Sequence, residues 1–333
     1  MTSVYWLESF SEEEETVKQV SEDLEGDILF REEPVQAFEP DFFEDGSIVS
    51  IRTHSRFEPG HADRIDCVIS RSTGYDHLLD QSQVLEGLVV GSLSKYATEA
   101  VADHNLAVAF SLARQLPQAE KALESFERSG LTGRQLTSFN PGIVGVGRIG
   151  SATAEHLLNM GLQVLGHDLE QRPRLAASDR FTYTALENVF EQCNLVFLCL
   201  PHNDSTRKRI DADLLGRLPQ GSLLVNAGRG EVVSNRALLE ELNQGSISGI
   251  GLDVFNREEG LRDHLREQSP GEDADDPEIQ AALNLIRDDR VLATPHNAFN
   301  SRQSVKNKVN RTLENIALFR KEGRVQKPVF KRE

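Results

Sequence analysis

Apolar positions in this chain fall into two spacings. Short, mainly apolar runs at Val4–Leu7, Ile48–Ile51, Cys67–Ser70, Val84–Val90, Leu195–Leu200, Leu223–Asn226, Ile250–Val254 and Val291–Thr294 predict strands, Leu195–Leu200 being continuous and so buried on both faces. Helical spacing fills the gaps between them. Glu12–Leu24 reads as an amphipathic helix whose acidic run, Glu12 to Glu15, forms a solvated face near its favourable end. In Glu99–Leu116, residues Ala102, Leu106, Ala109, Phe110 and Ala113 recur at helical spacing, and Pro117 is expected to end the helix. Ser234–Asn243 starts on a capping serine and stops at Gly245. Val305, Val309, Leu313 and Ile316 line one face of a final helix. Strands alternating with helices predict an α/β class with parallel sheets. Asn256–Glu278 breaks the pattern and reads as a charged surface loop. The spacing of Glu272, Asp273, Asp275 and Asp276 in it matches no cation-binding loop.

One strand-to-helix junction carries chemistry. Gly145, Gly147 and Gly150 form G-x-G-x-x-G, with Ile143, Val144 and Val146 as the strand before it. Ala154, Leu157 and Leu158 mark the helix after it, and Gly161 its stop. The first glycine permits a tight turn. The second admits a pyrophosphate, and the third lets helix pack on strand. The amides and dipole at the helix start favour phosphate. A second apolar run, Val164–Gly166, leads to Asp168, placed to accept hydrogen bonds from the adenosine ribose. A carboxylate there repels a 2′-phosphate, so the expected cofactor is NAD rather than NADP. Arg172 and Arg174 follow closely and offset that repulsion if they fold inward.

Three polar groups follow three successive predicted strands: Arg229 in Asn-Ala-Gly-Arg-Gly, Glu258 beyond Val254, and His296 in Thr-Pro-His-Asn-Ala-Phe. In an open α/β sheet they converge where ligands bind. Arginine suits a substrate carboxylate, and histidine exchanges protons near neutrality. A neighbouring glutamate raises the imidazole pKa and fixes its tautomer.

These residues, with Ser70-Arg-Ser-Thr-Gly-Tyr-Asp76, Leu200-Pro201 and Gly251-Leu-Asp-Val-Phe255, make the chain resemble the D-isomer specific 2-hydroxyacid dehydrogenases nearly end to end. Gly133-Arg-Gln-Leu, Tyr96 to His104 and His-Asn-Ala-Phe are similar to the D-lactate and D-2-hydroxyisocaproate branch. Pro141, Ser234, Asn256 and Glu259 depart from the family's pattern, and none removes a catalytic group. The resemblance implies an NAD-dependent oxidoreductase that interconverts a 2-keto acid and a D-2-hydroxy acid. It implies Arg229, Glu258 and His296 as the catalytic set. Cofactor contacts would fall on Gly145, Gly147, Arg148, Ile149, Gly150, Asp168, Leu200, Pro201, Thr206, Ala227, Gly228, Arg229 and Asp253. Thr73, Gly74, Tyr75, Tyr96, Arg229 and Phe299 would shape the substrate site. The implied fold is a flavodoxin-like substrate domain, residues 1–103 with 297–333, and a doubly wound NAD-binding domain, residues 104–296. Both are Rossmann-like and built on parallel sheets. The cleft between them is expected to close on substrate, and a homodimer through the coenzyme domain is expected. Other readings of the same residues are an NAD-sensing corepressor and a dehydrogenase of a larger or phosphorylated 2-hydroxy acid.

Composition narrows the setting. The 333 residues suffice for two domains. A net charge of −17 argues against nucleic-acid or anionic-membrane partners. No apolar run reaches bilayer-spanning length, and the start, Met-Thr-Ser-Val-Tyr-Trp, lacks a basic leader. Three cysteines, Cys67, Cys193 and Cys199, without a C-x-x-C pair, suggest reduced thiols in a cytoplasmic protein with no metal site.

Overall fold

The computed structural model describes residues 3–20, 28–266 and 275–330. The chain divides into two compact units, Met1–Ala97 with Asn300–Glu333, and Thr98–Phe299. The crossings thus fall at 97/98 and 299/300, near the expected 103/104 and 296/297. A continuous helix, Thr98–Ala113, carries the chain through His104 and sets the first of them.

The first unit holds a five-stranded parallel sheet. Its strands are β1 (Val4–Trp6), β2 (Ile28–Phe30), β3 (Ser47–Ile51), β4 (Ile65–Ser70) and β5 (Val89–Ser92), in the order β2-β1-β3-β4-β5. That is the flavodoxin-like order. Every residue of β3 is buried, which explains its lack of alternation. Side chains such as Val49, Ile51 and Val68 are fully buried, each worth about 1.5–3 kcal/mol of transfer free energy. The helix Arg302–Glu322 buries Val305, Val309, Leu313 and Ile316, as its spacing predicts. Ser301 caps its start, and Gly323 ends it at φ +63°.

Two details of this unit differ from expectation. Val84–Leu88 forms turns, so the strand lies later, at Val89–Ser92. The acidic run is not wholly solvated: helix Ser11–Val20 buries Glu13 completely, beside Trp6, Arg71 and Lys308. Residues 21–24 of the expected helix lie outside the described residues.

The second unit holds seven parallel strands: β6 (Pro141–Val144), β7 (Val164–His167), β8 (Phe181–Tyr183), β9 (Leu195–Leu198), β10 (Ser222–Asn226), β11 (Ile247–Leu252) and β12 (Val291–Ala293). Their order is β12-β11-β10-β9-β6-β7-β8. The chain moves outward from β6 to β8, then reverses from β9, so the switch point lies between β6 and β9. Pro141 takes the first residue of β6, a position a central strand tolerates. Apolar side chains cover both faces of the sheet.

Here too charge and proline mislead local reading. Pro117 does not close the long helix. That helix ends at Ala113, Gln115 turns at φ +52°, and Pro117 sits in the first turn of a second helix, Leu116–Ala122. The charged stretch after Asn256 is helical over Glu258–Leu265, and Pro277–Arg287 follows as another helix. Glu258 and Glu259 in the first turn, with Arg262 and His264 in the last, complement the helix dipole, and Leu261 alone reaches the core. Glu272 and Asp273 lie outside the described residues. Among the described residues, no helix is long and apolar enough to cross a membrane.

Candidate active site

The glycine turn stands at the switch point. Gly145 has φ +92°, and its amide donates to His167 O at 2.9 Å, so the turn and Asp168 leave the sheet side by side. A Cβ on Gly145 would lie 2.8 Å from the Cys199 carbonyl, and one on Gly150 would lie 2.0 Å from Gly145 O. Packing alone therefore dictates those two glycines. Gly147 is different: an added Cβ would meet nothing within 4 Å. The protein leaves open space there, directly before the helix Arg148–Asn159, whose first amides lack intrahelical acceptors. This arrangement fits a pyrophosphate, with Arg148 and Ile149 opening the helix beneath it. Asp168 Oδ1 accepts from the Glu170 amide at 3.0 Å. Leu200 and Pro201 follow β9, and Thr206 Oγ1 folds back to donate to Pro201 O at 2.6 Å.

Arg229 sits between two glycines for packing reasons. A Cβ on Gly228 would come within 3.0 Å of Leu198 O, and one on Gly230 within 1.9 Å of Phe255 O. Buried Asn226 holds the turn after β10: its Nδ2 donates to Arg229 O at 3.0 Å, and its Oδ1 accepts from the Gly228 amide at 3.1 Å. Arg229 Nη1 donates to Gly228 O at 2.9 Å. Ala227, beside it, is buried.

His296 and Glu258 meet directly, Nδ1 to Oε1, at 2.7 Å. Glu258 Oε2 also accepts from the Phe255 amide at 3.3 Å. With Nδ1 committed to the carboxylate, Nε2 is the nitrogen that faces chemistry. Protein crowds the ring on most sides, yet 43% of the side chain stays open. That crowding disfavours the charged form. The hydrogen bond and charge of Glu258, with the charge of Asp253, outweigh it and raise the His296 pKa above its ordinary value.

Asp253, which the family pattern places on the cofactor, is bound up in the protein. It is buried, and its Oδ1 accepts from Thr294 Oγ1 and the Asn297 amide, both at 2.6 Å. Its Oδ2 accepts from the Ala298 amide at 2.9 Å. The His296 amide donates to Asp253 O at 2.9 Å. These bonds pin a segment in which His296 holds φ +51°, a conformation an ordinary residue keeps only when its surroundings impose it. Thr294 Oγ1 also lies 3.3 Å from His104 Nε2. His104 and Thr294 are absent from the sequence-derived set. Their signal was position alone, on the long helix and just after β12.

Thus β10, β11 and β12, neighbours in one sheet, bring Arg229, Glu258 and His296 to their carboxyl ends. Phe299 closes the same unit. The remaining substrate candidates belong to the first unit. Thr73, Gly74 and Tyr75 form the loop after β4, where Lys327 Nζ lies 4.8 Å from the Tyr75 ring centroid. Tyr96 lies buried beyond β5.

Comparison with known proteins bears on this arrangement. Residues 106–298 match the family model described as D-isomer specific 2-hydroxyacid dehydrogenase, NAD binding domain. A D-lactate dehydrogenase of Staphylococcus epidermidis is 28% identical over 254 residues, 75% of this chain and 74% of its own. An aromatic 2-oxoacid reductase of Clostridium sporogenes is 27% identical over 265 residues, 78% of each chain. The crystal structure of Aquifex aeolicus D-lactate dehydrogenase complexed with NAD and lactic acid superposes with a TM-score of 0.84. It is 25% identical and covers 99% of this chain and 100% of its own.

Proposed function

The chain belongs to the D-isomer specific 2-hydroxyacid dehydrogenases, in their D-lactate and D-2-hydroxyisocaproate branch, and from that premise we propose how its own residues divide the work. It is an NAD-dependent oxidoreductase that interconverts 2-keto and D-2-hydroxy acids. The bound cofactor would supply the redox chemistry, NADH donating a hydride to the keto acid and NAD+ accepting one from the hydroxy acid. Gly147, Arg148, Ile149 and Asp168 would hold its phosphates and ribose. Arg229 pairs through its planar fork with the substrate carboxylate. His296 delivers a proton from Nε2 to the carbonyl oxygen in the reductive direction and takes one from the hydroxyl in the oxidative direction. Glu258 holds the imidazole in that tautomer and stabilises its charged form. Phe299, in the same unit as Arg229 and His296, would contact the substrate side chain.

The observation that carries this reading is the 2.7 Å contact between His296 and Glu258 beside Arg229, on adjacent strand ends. The test is NADH oxidation with a panel of 2-keto acids, from pyruvate to branched and aromatic ones. His296→Ala is expected to lose on the order of a hundredfold to ten-thousandfold in kcat. Near-wild-type turnover in that variant would sink the assigned roles. A wild type that turns over no member of the panel would favour a sensor of NAD.

We propose further that the chain forms a homodimer through its coenzyme unit. Phe110, Leu116, Leu123 and Phe126 are 40–72% exposed along the end of one helix and the segment after it. Light scattering should give twice the chain mass of 37.1 kDa, and the monomer mass would remove the proposal.

A further inference from the structure

Arg172 and Arg174, which follow Asp168, engage different partners. Arg174 Nη1 lies 3.4 Å from Glu155 Oε1, and its side chain is 83% exposed. Arg172 turns back over the glycine fingerprint: its Nε donates to Val146 O at 3.2 Å, between Gly145 and Gly147. Its amide donates to Tyr183 Oη at 2.8 Å, which ties that point of the loop to the end of β8. Asp168 Oδ1 accepts from the Glu170 amide, and among the described residues no ion pair joins Asp168 to Arg172. Among the described residues, no ion pair engages the terminal nitrogens of Arg172.

The turn and Asp168 leave adjacent strands side by side, and Arg172 spans from one to the other. A ribose held by Asp168 and a pyrophosphate held at Gly147 bracket that same span. A 2′-phosphate on the ribose would meet repulsion from Asp168 and, from Arg172, a planar charged donor suited to phosphate oxygens. We infer that Arg172 admits a 2′-phosphate, so that this NAD enzyme also takes NADP(H), and that Arg172 is the residue setting the ratio. The inference rests on the NAD site and not on the roles of His296, Glu258 or Arg229.

Two adenosine fragments test it without turnover: 5′-AMP, and 2′,5′-ADP, which adds only the 2′-phosphate. Calorimetric titration of the wild type should detect both. Arg172→Gln should weaken 2′,5′-ADP by about tenfold to a hundredfold, the worth of a charged hydrogen bond, while 5′-AMP stays within about twofold. Arg172→Lys should restore part of the loss. Asp168→Asn should tighten 2′,5′-ADP by removing the repulsion. A wild type that binds 5′-AMP but not 2′,5′-ADP would overturn the inference. So would equal loss of both fragments in Arg172→Gln, because Arg172 would then only staple the loop. Fragment binding with no turnover of any 2-keto acid would leave this inference standing and count against the proposed reaction.

Discussion

Glu13 in the first unit and Glu258 in the second each hold a cationic side chain, under opposite conditions of exposure. Glu13, Arg71 and Lys308 are all fully buried. Glu13 Oε2 lies 3.3 Å from Arg71 Nη2 and accepts from Trp6 Nε1 at 3.4 Å, while Oε1 pairs with Lys308. Arg71 also donates to Leu7 O at 2.6 Å and Glu8 O at 3.1 Å, and Lys308 Nζ lies 4.7 Å from the Phe10 ring centroid. Burial works against the Glu13 charge, but Arg71 first and Lys308 second hold its pKa below the ordinary value. Burial dominates at Lys308 and pulls its pKa down to about 7. At the other pair, side chains of His296 and Glu258 remain 43% and 32% exposed. A sealed carboxylate has its charge fixed by neighbours that cannot leave. A half-open one leaves its histidine free to exchange a proton with substrate or water. The first arrangement serves architecture and the second serves turnover.

Removing each carboxylate's charge tests that contrast. Glu13→Gln breaks the buried ion pairs that Glu13 makes with Arg71 and Lys308, and the first unit should lose about 3–5 kcal/mol of stability. Glu258→Gln removes a partly exposed charge, and stability should change by no more than about 1 kcal/mol. Urea denaturation of both variants measures the difference. Equal small losses would mean that the Glu13 cluster is not charged as described.

The finer test is the pH profile. The His296 pKa is raised, so the protonated form that reduction requires persists above the ordinary imidazole range and disappears as pH rises through the raised value. The same raised pKa means that stability gained from the charged ring is complete below the unfolded value and lost as pH rises through the folded one. Glu258→Gln removes the hydrogen-bonded charge that raises it most. The fall in reductive kcat/KM should then move to lower pH, and the rise in the oxidative direction should move with it. An unmoved profile would show that a different group controls the proton.

What the sequence discloses follows the same divide. The glycine turn and the three strand ends are local patterns, so Gly145, Arg229 and His296 can be found by reading along the chain. Asp253 enters the sequence reading only through the family resemblance, and its hydrogen bonds to Thr294, Asn297 and Ala298 join segments about forty residues apart that no local pattern links. Glu13 is hidden within an acidic run that otherwise faces water, and its partners Arg71 and Lys308 are remote in sequence. Glu258 is found by position, but the helix it starts is not, because a single buried leucine leaves too little periodicity. Long-range pairing of charge has no spacing signature.

The chain's single tryptophan, Trp6, is fully buried in the sealed cluster, with the Arg71 guanidinium carbon 4.7 Å from its ring centroid. Tryptophan emission from this protein is therefore a signal of the first unit alone. A melting curve recorded by that emission follows the flavodoxin-like sheet and is blind to the coenzyme unit, whose opening must be followed by another probe.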